Sequence, residues 1–266
     1  MLRVLVLAAG LLAGVAATAA DAPPTVFLEE HTSAELASAI EAGRTTIIVP
    51  IGGTEQNGPH IVLGKHNVRA KALAAKVAAA LGNALVAPVV AYVPEGGTDP
   101  PTGHMRYPGT ITVPPDAYRK VLISAARSFR LHGFRDIVLL GDHGDYQKDN
   151  QAVAAALARE WAGTGVRVHA IAEYYRAATE GFAQSLKTRG HTDAEIGLHA
   201  GLADTSLALA VDPKLVRVDR LAAAGPVPAR GVTGDPRRAS AVLGQAGVDA
   251  IVAQSVDAIR AVTARR

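Results

Sequence analysis

Thr45-Thr46-Ile47-Ile48-Val49 leads directly into Pro50-Ile51-Gly52-Gly53-Thr54-Glu55-Gln56-Asn57-Gly58-Pro59-His60-Ile61-Val62-Leu63-Gly64-Lys65-His66-Asn67. The first five residues form an unbroken β-branched run, the pattern of a strand buried on both faces. Val68 to Leu81 is rich in Ala, Leu, Val and Lys, with no Gly or Pro before Gly82, and reads as a helix. The Gly/Pro-rich segment between them is therefore a loop at the carboxyl end of a strand, where open α/β sheets place ligands. It carries Glu55, His60 and His66. A carboxylate oxygen and imidazole nitrogens are donors that zinc accepts.

The same alternation continues outward. A helix is expected over Ala34 to Ala42, and a second strand over Ala84 to Tyr92, where Pro88 marks an edge or a bend. Pro94 to Val113 is a long Gly/Pro-rich loop containing His104 and Arg106, followed by a helix from Pro115 to His132. A third strand, Arg135 to Gly141, precedes Asp142-His143-Gly144-Asp145. Further helices fall over Gln151–Trp161, Ala177–Arg189 and roughly Ala239–Thr263, with a fourth strand over Val166–Ala172. Glu173, Tyr174 and Tyr175 stand at that strand's end, placed to line a pocket. Strands alternating with helices predict one α/β domain with a mostly parallel sheet.

Composition sets the outer limits. About half of the 266 residues are apolar and about a fifth charged, which is globular. The absence of cysteine excludes disulfides, thiolate metal sites and a cysteine nucleophile. A net charge of +3 spread along the chain gives no footprint for nucleic acid. Met1-Leu2-Arg3, the apolar run Val4–Ala17 and the small residues Ala17-Thr18-Ala19-Ala20 read as a secretory leader, too short for a membrane span. The expected organisation is a leader over 1–20, a tether over 21–30 and one domain over 31–266. The mature protein is expected to be secreted or periplasmic, without a membrane span.

Parallel strands bring Glu55, His60 and His66 to the same rim as Asp142, His143 and Asp145. His143 and Asp145 are two apart, so in an extended segment both face one side. His199 opens a helix. Its positive end suits a developing oxyanion, although a hydrogen-bonded core histidine is the other reading.

Gly53-Thr54-Glu55-Gln56-Asn57-Gly58-Pro59-His60, Tyr107-Pro108-Gly109-Thr110-Ile111, Gly141-Asp142-His143-Gly144, His199-Ala200-Gly201 with Asp204-Thr205-Ser206, and Gly231-Val232-Thr233-Gly234-Asp235-Pro236 resemble, in order, the creatininase (creatinine amidohydrolase) family. The resemblance implies a three-layer α/β/α metallohydrolase, commonly a homo-oligomer and often a hexamer. It would cleave non-peptide C–N bonds of small cyclic amides or formamides. It assigns Glu55, His143 and Asp145 to metal-ligand positions and His199 to catalysis. Asn57 stands where the second metal's histidine belongs, and His66 where an aspartate bridges two metals.

Those two departures argue for one metal. A carboxylate bridges two cations readily, whereas a neutral imidazole offers one lone pair. Glu55, His66 and His143 then form the expected metal set, the ligand type of catalytic zinc, with manganese or iron also admissible. Asp145 is expected as a fourth ligand or general base. His199 is expected to protonate the leaving nitrogen or hold the oxyanion. His104, Asn57 and His60 are expected toward the substrate, His60 through hydrogen bonds behind the ligands. A degenerate member that binds a small molecule or assembles without turnover is the competing reading, and Leu198 argues against creatinine itself.

Overall fold

The computed structural model describes residues 25–224 and 231–264. The leader expected over 1–20 and the start of the tether lie outside them. From residue 25 the chain is docked rather than tethered. Val86 N–H donates to the Val26 carbonyl at 2.7 Å, and Leu28–Glu30 forms a 3-10 turn. The folded domain thus begins before residue 31.

Four strands, β1 (Thr46–Ile51), β2 (Ala84–Val86), β3 (Asp136–Gly141) and β4 (Arg167–Ala170), pair in parallel in the order β2-β1-β3-β4. Every residue of β1 and β3 is buried. Thr46 pairs with Asp136 and Ile51 with Gly141, so these two central strands end at one level and release their loops side by side. β2 is shorter than expected and lies at the edge. Pro88 interrupts it, and pairing with β1 resumes at Val90, whose N–H donates to Pro50 O at 3.0 Å.

The helices are α1 (Ser33–Glu41), α2 (Lys65–Leu81), α3 (Pro115–Leu131), α4 (Gln147–Glu160), α5 (Ala172–Arg176), α6 (Phe182–Thr188), α7 (Asp193–Ile196), α8 (Leu202–Val211) and α9 (Ala241–Thr263). Strand side chains alternate between two faces. Ile47, Val49, Ile137 and Leu139 pack against α1, α3 and α4. Ile48, Val138 and Leu140 pack against α2 and α5 through α9. The result is the expected three-layer α/β/α sandwich. Its main local surprise is a π-helical turn over Ala177–Gly181 joining α5 to α6, where one continuous helix was expected. No helix among the described residues is long and apolar enough to cross a membrane.

Candidate metal centre

The β1 loop is held open by two glycines. A Cβ on Gly52 would lie 2.7 Å from the Asn67 Cα at the start of α2. Gly53 has φ +145°, and a Cβ there would lie 2.6 Å from Glu95 Oε1. Tyr146 ties this loop to the one after β3. Its hydroxyl accepts from the Asp142 and His143 N–H groups at 3.0 and 2.9 Å and donates toward Gly52 O at 2.7 Å. The long segment 87–114 is docked over both loops. Thr110 Oγ1 accepts from Gln56 N–H at 3.1 Å and donates to His104 O at 2.9 Å, which carries His104 to Glu55.

Glu55 is fully buried, and its two oxygens have different surroundings. Oε1 meets His66 Nε2 at 2.7 Å and lies 3.8 Å from Lys65 Nζ. Oε2 has no hydrogen-bond partner, yet His104 Nε2 and His143 Nε2 stand 3.3 and 3.4 Å from it. Glu55, His104 and His143 form a set whose donor atoms all lie within 4.8 Å of one another. In a tetrahedral site with bonds of about 2.1 Å, donors are about 3.4 Å apart. The two distances to Oε2 match that edge, and an orphaned buried carboxylate oxygen is what an absent cation leaves behind. One carboxylate and two imidazoles fit a borderline divalent ion such as zinc.

Electrostatics agree with this geometry. Burial alone would raise the Glu55 carboxyl, but the His143 and His66 imidazoles and Lys65 hold it well below the carboxylate range. Burial pulls His143 down, yet Glu55 outweighs it and lifts the imidazole to about 9. Beneath lies a buried charge network. Arg69 Nε donates to Asp142 Oδ2 at 2.9 Å and its Nη1 to Asp204 Oδ1 at 2.8 Å, while Lys65 binds Asp204 Oδ2. Tyr174 donates to Asp142 at 2.6 Å.

His199 closes one side. Its Nε2–H donates to the Gln56 carbonyl at 2.9 Å, leaving the Nδ1 lone pair 3.8 Å from Glu55 Oε1. Burial, and after it the Lys65 charge, push this imidazole down to about 4. The Gln56 side-chain amide is 2.8 Å from His104 Nδ1, steadying that ring. A cleft of about 450 Å³ opens beside them, lined by His66, His143, His199 and the apolar Ala178, Ile196 and Leu207. Leu198 is 93% exposed at its rim.

A second set, Glu95, His143 and Asp145, also meets the 4.8 Å limit among the described residues. Glu95 is buried with both oxygens unpartnered, and burial pushes its carboxyl up to about 8. Its Oε2 is 3.8 Å from His143 Nδ1, on the ring edge facing away from Glu55. The Asp145 N–H meets that same nitrogen at 3.3 Å. Asp145 is exposed.

The structure therefore gathers Glu55, His143, His199, Asp145 and His104, and places His66, Asn57 and His60 outside the two gathered sets. His66 does not complete the Glu55–His143 set. Its Nδ1 faces Asp142 Oδ2 at 2.6 Å and its Nε2 faces Glu55 Oε1 at 2.7 Å. Both ring nitrogens thus face carboxylate oxygens other than the orphaned Glu55 Oε2. His104 stands in its place. Asn57, fully buried, donates its amide to Glu55 O and Val62 O, locking the turn rather than reaching the cleft. His60 is equally buried and bonds Thr205 Oγ1 at 3.0 Å, pinning the loop to α8. Lys65, Arg69, Glu95 and Gln56 were not anticipated. The signal for the first two was their spacing, since Lys65, Arg69, Leu73 and Val77 fall on one buried stripe of α2.

Comparison with known proteins points one way. The chain is 29% identical over 221 residues to the mycofactocin precursor peptide peptidase of Mycolicibacterium smegmatis, covering 75% of this chain and 78% of that one. It is 28% identical over 203 residues to the creatinine amidohydrolase of Pseudomonas putida, covering 74% and 76%. A solved mutant creatininase described as of Zn-Zn type superposes with a TM-score of 0.74 at 26% identity, covering 91% of this chain and 99% of that one. Residues 29–259 match the Creatininase family, described as creatinine amidohydrolase, and the chain belongs to that family.

Proposed function

We propose that the protein is a metal-dependent amidohydrolase that holds one divalent ion, zinc by preference with manganese or iron as alternatives, on Glu55 Oε2, His104 Nε2 and His143 Nε2. The observation carrying this reading is the unpartnered Glu55 Oε2 at tetrahedral-edge distance from two imidazole nitrogens. Such an ion, when bound, polarises a carbonyl and lowers the pKa of water to about 7. The substrate is a small cyclic amide or formamide-type compound, cleaved at a non-peptide C–N bond. A cleft of about 450 Å³ with apolar walls suits a molecule of that size. Similarity to peptidases makes a short peptide-like amide the second substrate class to test.

The chain's own groups divide the remaining work. His199 is a neutral imidazole with its Nε2 proton committed to Gln56 O, so Nδ1 faces the centre as a proton acceptor. It protonates a leaving nitrogen only after accepting a proton. Asp145 is an exposed carboxylate beside His143, a candidate general base. The Asp145 N–H steadies the far edge of His143. Export through the N-terminal leader, to the periplasm or outside, and assembly as a homo-oligomer, a hexamer by family resemblance, belong to the same proposal.

Elemental analysis of dialysed protein tests the centre. The expected result is one zinc per chain, lost in His104→Ala and in His143→Ala but retained in His66→Gln with affinity about 10–100-fold weaker. Metal lost from His66→Gln but kept by His104→Ala would return His66 to the ligand set. A panel of lactams, formamides and dipeptides, assayed with the zinc-loaded protein, then identifies the bond. No turnover on any of them favours the binding-only reading.

A further inference from the structure

Lys65, the first residue of α2, has a side chain only 1% exposed. A buried ammonium is strongly unfavourable unless anions surround it. Its Nζ is bound to Asp204 Oδ2 and lies 3.8 Å from Glu55 Oε1. Asp204 is itself held in place by Arg69 Nη1 at 2.8 Å and by the Ala200 N–H at 3.0 Å. Glu55 is thus flanked on both sides. Its Oε2 is unpartnered and faces two imidazole nitrogens, while its Oε1 already meets His66 and Lys65.

A divalent ion would seek what this ammonium has found, oxygens from two separate carboxylates at the floor of a cleft. The similar solved creatininase described as of Zn-Zn type shows that the fold accommodates a pair of ions. Here the Lys65 ammonium stands beside Glu55 Oε1 at 3.8 Å. Asn57 turns its amide N–H groups to backbone carbonyls, and His66 has both nitrogens committed to carboxylates. Any ion there would also stand against the Lys65 charge, and like charges in a buried site repel strongly.

We propose that Lys65 is a built-in cation: its Nζ occupies a second cation position between Glu55 and Asp204, restricts the protein to one divalent ion, and yields that position to a metal when it is removed. This rests on the proposed centre at Glu55, His104 and His143 for the first ion.

The experiment counts ions. Chelator-stripped protein is titrated with zinc chloride by calorimetry, and the loaded protein, after gel filtration, is analysed for zinc. Wild type is expected to hold one zinc per chain, Lys65→Met two, and Lys65→Arg one. The double variant Lys65→Met/Asp204→Asn removes an anion with the cation and is expected to hold one. Lys65→Met leaves two carboxylates facing each other, so circular dichroism is recorded with and without zinc. Folding that needs zinc, with two ions bound, supports the proposal. Failure to fold even with zinc overturns it, because the ion has not replaced the ammonium. One ion in Lys65→Met, or two in wild type or the double variant, also overturns it. No ion in wild type with one in Lys65→Met upholds the role of Lys65 and removes the Glu55–His104–His143 centre. No ion in either removes both.

Discussion

The Tyr146 hydroxyl, one buried oxygen, serves the ends of two strands. It meets the N–H groups of Asp142 and His143 and the carbonyls of Ile51 and Gly52. Removing it leaves the buried His143 N–H without an acceptor, at about 1–3 kcal/mol, while the Asp142 N–H still donates to Ile51 O at 3.0 Å. Tyr146→Phe is therefore expected to lose about 2 kcal/mol of stability in urea unfolding, and to bind zinc more weakly because His143 loses its backbone anchor. Unchanged stability would mean that water replaces the hydroxyl. The chemistry at residue scale was partly legible beforehand. Glu55 and His143 stood out because polar residues with metal-binding atoms directly followed buried β-branched or apolar runs. His66 follows that loop on the first turn of α2, and its direction depends on Asp142, which is distant in sequence.

Among elements, segment 87–114 decides which imidazole completes the set. Its Gly and Pro content marked it as a loop, but no period in the sequence states where such a loop goes. Its path is set by long-range hydrogen bonds, chiefly Thr110 to Gln56 and His104, and by Ile111 N–H donating to Thr54 O at 2.9 Å. The Tyr107-Pro108-Gly109-Thr110-Ile111 motif thus acts as a fastener. Thr110→Val keeps the shape and removes both hydroxyl bonds. It is expected to weaken zinc binding about 10-fold, as loss of a group behind a ligand does, while costing only about 1 kcal/mol of stability. Competition with a chromophoric chelator gives the first number and urea unfolding the second. The strands and the long helices were legible because their patterns are local. The π turn at Ala177–Gly181 was not, since it fits α5–α6 to the cleft wall that Ala178, Thr179 and Glu180 line.

For the whole molecule, pH couples to metal content. In the metal-free protein His143 is lifted to about 9 by Glu55, so at pH 7 it carries a proton that the ion must displace. Zinc affinity is therefore expected to rise with pH from 7 toward 9, by up to about tenfold per unit for that one proton, and to level off above. Calorimetry at pH 7 in buffers of different ionisation enthalpy is expected to show the released proton. An affinity that falls over this range would contradict the assignment of His143. The layered fold itself was expected from the alternation of runs and breaks, and the sheet order places β1 and β3 together at its centre.

The tyrosine rivet and the buried Arg69–Asp142 and Lys65–Asp204 pairs hold the cage walls by bonds in which no ion takes part. Small zinc domains collapse when stripped, because the ion is their core. Here a chelator would empty the socket and leave its frame standing. The folded protein can therefore stand empty and be filled afterwards, with ion supply rather than folding deciding when its centre is complete.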